Sequence, residues 1–102
     1  MERPNKWLLL RYEQGYKVFG SWSGGYLDGS SWRLNSGIKK VTRDSDLVTF
    51  HGYSGSKYVC HIHSYGIAGI GNASIVKTFE DLGAEVLLEE EAMKYITQQG
   101  QE

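Results

Sequence analysis

Two stretches near the middle of the chain, Leu47–His51 and Lys57–His63, alternate apolar and polar side chains on either side of the linker Gly52-Tyr53-Ser54-Gly55-Ser56. Alternation of that kind describes a β-hairpin with one apolar face. Because neighbouring strand residues point to opposite faces, a slip of one residue in the pairing turns every side chain over. With an odd number of loop residues, Val48, Phe50, Cys60 and Ile62 share one face, while Thr49, His51, Val59, His61 and His63 share the other. An even loop mixes apolar with polar groups on both. Burying a large apolar side chain is worth about 1.5–3 kcal/mol, so the odd loop is the expectation.

The same grammar extends outward from this hairpin. Trp7–Tyr12 and Tyr16–Trp22 read as two strands joined at Glu13-Gln14-Gly15, Trp32–Ser36 and Ile38–Thr42 as two more, and Asp44-Ser45-Asp46 as the turn into the central hairpin. Residues 7–64 therefore describe an antiparallel meander of five or six strands, covered on one face. After Tyr65 the pattern changes. Ile75, Val76, Phe79 and Leu82 fall on one side of a helix over about 73–82, for which Asn72 or Ser74 is the expected cap and Gly83 the stop. Ala84–Leu88 reads as a short strand, and Glu89-Glu90-Glu91 places negative charge at the positive end of a final helix over about 89–98. One continuous helix over 73–98 is the alternative, but Gly83 inside it would cost about 1 kcal/mol relative to alanine. The predicted class is α+β, with an antiparallel sheet packed by two C-terminal helices.

A length of 102 residues argues for a single domain, 1–102, with one core and little room for an enclosed catalytic chamber. Cys60 is the only cysteine, which rules out an intrachain disulfide and fits a reducing compartment. The segment Met1–Lys6 leads into only four apolar residues, Trp7–Leu10, too few for a signal-peptide core or a membrane span. A cytoplasmic location with no membrane partner is the expectation. Charge is divided unevenly: residues 1–66 carry nine Lys/Arg against five Asp/Glu, a balance of +4, and residues 67–102 carry two against seven, a balance of −5. An acidic helix face explains this plainly; head-to-tail attraction between subunits, or a basic sheet meeting an acidic partner, explains it functionally.

Four groups of residues carry possible chemistry. His51, His61 and His63 share a face in the odd-loop register, and three imidazoles with an open position are one way zinc is held for hydrolytic work. Surface histidines on the solvent side of a sheet are the plainer account, and no other cofactor is implied. Cys60 points away from His61 and reads as an inert core residue, not a nucleophile. In the long loop after the second strand, Trp22, Tyr26, Asp28 and Trp32 have the composition of a ligand-binding loop. Gly66-x-x-Gly69-x-Gly71, lying between a strand and a helix, has the small residues of an anion-binding turn but not the order of a nucleotide fingerprint, and a close helix–sheet contact is its plainer reading. Arg11, Arg33, Lys39, Lys40 and Arg43 among many aromatic rings would serve a nucleic acid. A pI near 6.3 and the absence of an RNP-like segment argue against that partner.

The run Trp22–Gly37, with Phe50–Ser56 and Val59–His61, resembles small uncharacterised bacterial proteins carried as mobile gene cassettes in integrons, over roughly residues 7–66. The resemblance implies a bacterial, cytoplasmic, accessory protein and brings no catalytic residue with it. The functional expectation is a binding or interaction protein for a small molecule or a protein, acting as a homo-oligomer. A metal-assisted hydrolase using His51, His61 and His63 is the alternative, and a nucleic-acid or anion-binding module the second alternative.

Overall fold

An unbroken apolar run such as Trp7-Leu8-Leu9-Leu10 makes a good strand only where both faces are covered, and the architecture is organised around that requirement. The structure is a computed structural model that describes residues 1–24 and 30–99. Its elements are β1 (Lys6–Tyr12), β2 (Gly15–Trp22), β3 (Ser31–Leu34), β4 (Ile38–Asp44), β5 (Leu47–Gly52), β6 (Lys57–His61), α1 (Asn72–Asp81), β7 (Glu85–Val86) and α2 (Glu89–Gln99). Class and helix positions agree with the sequence reading.

The meander, however, is divided into two sheets, one ordered β3-β2-β1-β7 and the other β4-β5-β6. Asn35 marks the division. Its main-chain N–H donates to the Val18 carbonyl at 3.0 Å and its Oδ1 accepts the Val18 N–H at 2.8 Å, so this residue closes the edge of β2 that β3 has just left. Gly37, at φ +135°, then turns the chain into β4. The first residues bridge the two sheets: Glu2 donates to the Lys57 carbonyl and accepts from the Val59 N–H, both at 2.8 Å, and Trp7 pairs with Tyr65 in parallel.

The expectation of one covered face is corrected for the larger sheet, which is covered on both. Leu8, Leu10 and Phe19 pack with Val76 of α1 and with Ala84 on one side. Trp7, Leu9 and Val18 pack on the other side against Val41, Val48, Phe50, Tyr58 and Cys60 of the smaller sheet, together with Leu87 and Ala92 and Ile96 of α2. Tyr65 ties these layers at the sheet edge, donating its hydroxyl proton to the Leu87 carbonyl at 2.6 Å and accepting the Leu9 N–H at 3.1 Å. Burial there pushes its phenol up to about 12. The smaller sheet keeps one face outward.

Gly83 separates the two helices, as expected. At φ +107° it donates to the Glu80 carbonyl, and Ala84 donates to the Phe79 carbonyl, the paired bonds of a left-handed C-terminal cap. At the start of α2, the Glu91 carboxylate accepts the Leu88 N–H at 2.9 Å, half of a capping box. The expected cap of α1 is corrected. Neither Asn72 nor Ser74 caps it through a side chain; Asn72 is buried and instead donates from Nδ2 to the carbonyls of Ser31 and Ala68 at 2.8 and 2.7 Å. Among the described residues, no helix is long and apolar enough to cross a membrane.

Candidate functional site

The odd-loop register is the one the hairpin adopts. Val48 lies opposite Cys60 and Phe50 opposite Tyr58, all buried, while Thr49 lies opposite Val59, His51 opposite Lys57 and Leu47 opposite His61 on the outward face. On its other side, His51 lies opposite Lys40 of β4. Lys40, His51 and Lys57 thus form a straight row across three strands, each side chain about 5 Å from the next at its base.

Directly opposed like charges weaken a sheet, and this row sets two ammonium groups on either side of an imidazole. A further lysine reaches the same place through an irregularity in β4. The pairing passes from Ile38↔Gly52 to Lys40↔His51, so β4 spends two residues where β5 spends one, and Lys39 is the extra residue of a β-bulge. Regular alternation would send Lys39 and Lys40 to opposite faces; the bulge re-aims one of them. Both line a pocket of about 210 Å³ with His51, Gly52, Gly55, Ser56 and Lys57.

Four cations of the molecule have acidic partners, Arg11 with Glu85 at 3.0 Å, Lys17 with Glu13 at 3.4 Å, Arg33 with Glu2 at 3.7 Å and Lys77 with Asp81 at 3.5 Å, while Arg3, Lys6, Arg43 and Lys94 have none among the described residues. Lys39, Lys40 and Lys57 form no ion pair among the described residues. Partial burial, and then the fields of Lys57 and Lys40, hold His51 below the ordinary imidazole range. Its Nε2 lies 3.2 Å from Thr42 Oγ1, the hydroxyl of a neighbouring outward residue on β4.

The three-histidine centre is corrected by the same register. His51 and His61 do share a face, but His61 stands four residues beyond Lys57, the partner of His51, a separation of about 13 Å along the strand. β6 ends at His61, so His63 lies in the following turn, with its ring centroid 5.3 Å from that of His61. The His63 N–H donates to His61 Nδ1 at 3.2 Å, and His63 Nε2 lies 3.7 Å from the Asp46 carboxylate. Among the described residues, no group of three or more His, Cys, Asp or Glu side chains is placed to hold a metal ion. Zinc therefore has no three-histidine seat here.

The expected ligand loop is only partly described. Tyr26 and Asp28 lie outside the described residues. Trp32 lies opposite Ser21, so it shares that residue's face, and its ring stacks on Phe19 at 5.7 Å and meets Phe79 edge-on at 5.6 Å. Trp22, the next residue along β2, projects to the other face, where its indole N–H donates to the Arg3 carbonyl at 3.0 Å. The two tryptophans border one open surface cavity but do not form a common stacking wall.

Part of the glycine turn before α1 is already engaged within the fold. Gly66 donates its N–H to the Trp7 carbonyl, Ala68 to Ser21 Oγ and Asn72 to the Gly69 carbonyl. Cys60 is fully buried, and desolvation pushes its thiol far above the usual range, which leaves it unreactive. Sequence reasoning named Lys39, Lys40 and His51 separately but missed Lys57. The signal was available, because Lys57 falls on the same side as Val59 in the register that places His51 outward. Comparison of the chain with protein-family models, curated proteins and solved structures finds no match.

Proposed function

We propose that this protein is a non-catalytic binding module that takes an anionic ligand on the outward face of β4-β5-β6. The observation that carries the reading is the cross-strand row Lys40–His51–Lys57, joined by Lys39 from the bulge. Two lysines on either side of one imidazole, with no ion-pair partner among the described residues, concentrate positive charge on one face of the sheet, and an anion is the partner that turns this into binding energy. The pocket, not a stripe of charge along the surface, sets the scale of the ligand.

Calorimetric titration with inorganic phosphate at low ionic strength tests the reading. Saturable binding is expected, and Lys40→Gln with Lys57→Gln should weaken it about tenfold or more, the loss that follows from removing charge-assisted hydrogen bonds. Binding that is absent, or equal in wild type and the double variant, would count against it.

Self-association is a second reading, supported by exposed apolar side chains that include Ile70 at 99%, Leu82 at 63% and Leu88 at 70% exposure. Light scattering across a concentration series should then return a mass above that of the 11.5 kDa chain, and a constant monomer mass would remove the reading.

A further inference from the structure

We propose that the Lys39/Lys40/His51/Lys57 pocket is a receptor for a terminal phosphate group, as a phosphomonoester or as free phosphate, with His51 as the central hydrogen-bond donor to it. This rests on the anion-binding reading and goes further, by naming the ligand chemistry and giving the histidine a proton to carry.

Size and charge argue for a compact, highly charged group. A pocket of about 210 Å³ accommodates one tetrahedral oxyanion, and Gly52, Gly55 and Ser56 of the hairpin turn line it with the lysines and His51. Three lysines lining so small a volume carry more charge than one carboxylate neutralises, and a phosphate dianion offsets more of it. The pocket wall offers donors and no carboxylate, so it favours the fully ionised oxyanion over a protonated one.

The position of His51 links binding to proton uptake. The charged groups facing it are Lys40 on β4, Lys57 on β6 and Lys39 from the bulge; Thr42 adds a hydroxyl, and the turn residues Gly52, Gly55 and Ser56 add no charge. With the pocket empty, partial burial and then the fields of Lys57 and Lys40 favour neutral imidazole. An anion among those lysines cancels their fields and favours imidazolium. Thr42 takes Nε2, and Nδ1 has no hydrogen-bond partner among the described residues. Entry of the anion thus strengthens proton binding at His51, and by reciprocity an anion that does not itself titrate, such as sulfate, binds more tightly as pH falls through the imidazole range.

The test is a nuclear magnetic resonance pH titration of His51 with no anion, with sulfate, with inorganic phosphate and with phenyl phosphate. Sulfate stays a dianion across the range and isolates the histidine's own proton. The expected result is a rise of about one pH unit in the His51 midpoint with saturating anion, a tenfold coupling. The rise should vanish in the Lys40→Gln, Lys57→Gln protein, while His61 and His63 stay unmoved. His51→Gln should keep sulfate binding above the imidazole range and lose its pH dependence. Tighter phenyl phosphate than phosphate would identify an ester as the ligand class, and the reverse would identify the free ion. If the Lys57 and Gly55 resonances saturate with anion while the His51 midpoint stays fixed, this inference falls and the anion-binding reading stands. If no anion perturbs the pocket, both fall.

Discussion

Replacing Trp7 with alanine is expected to lower stability by about 3–5 kcal/mol, read as a lower urea midpoint at an unchanged slope. Trp7 is fully buried on the strand that both layers share. Its ring lies 5.4 Å from Phe50 and 4.8 Å, edge-on, from Tyr65, and its Nε1–H donates to the His61 carbonyl at 2.7 Å. That bond joins β1 of one sheet to the last residue of β6 in the other. Truncation empties the space between the sheets and leaves a carbonyl without its donor, and the two costs add. Trp7→Phe retains most of the ring and loses the bond, so an intermediate cost of about 1–3 kcal/mol is expected. Domains of this class are stable by only about 5–15 kcal/mol, so the alanine variant stands close to the unfolding threshold. A Trp7→Ala protein with the wild-type midpoint would show that the two sheets are not held together as described.

Gly69→Ala is the second change with a large expected effect, about 3 kcal/mol of destabilisation from a single added methyl. The residue has φ +90°, a conformation disfavoured for alanine, and an added Cβ would lie 2.8 Å from Asn72 Nδ2, 2.9 Å from the Trp22 carbonyl oxygen and 3.0 Å from Ser30 Cβ. Backbone cannot rotate away as a side-chain end can. Displacing Asn72 would break its bonds to the Ser31 and Ala68 carbonyls, which hold the start of α1 to the larger sheet. Gly71→Ala is the control. Its Cβ meets nothing within 4 Å and its φ is −81°, so it should be neutral or slightly stabilising. Equal thermal midpoints for the two variants would contradict the tight packing assigned to this turn.

How far the sequence reaches depends on whether a feature is local. The hairpin register follows from alternation and loop parity, both contained in residues 47–63, and the helix break follows from Gly83. The division into two sheets is not local. Asn35-Ser36-Gly37 has the composition of a turn, but only the pairing of Asn35 with Val18, 17 positions earlier, shows that the chain leaves one sheet there. The double coverage of β1 was legible in Trp7–Leu10, since an apolar run without alternation is the mark of a strand buried on both sides. The three-histidine centre failed on length, not on facing: same-face residues at opposite ends of a strand cannot meet one ion. Lys39 reaches the pocket through a bulge, and nothing in the alternation of Ile38–Thr42 announces an extra residue.

Thermal unfolding of Lys57→Thr beside wild type, with and without sulfate, at a pH low enough for His51 to be protonated, tests the role of that row most directly. Without sulfate, the variant should be more stable by about 0.5 kcal/mol, or about 2–4 °C, because an opposed charge is gone and threonine suits a strand. Added sulfate should raise the wild-type midpoint by mass action and leave the variant nearly unmoved. A variant that is less stable without sulfate, yet gains as much from it as wild type does, would contradict an anion seat at Lys40–His51–Lys57.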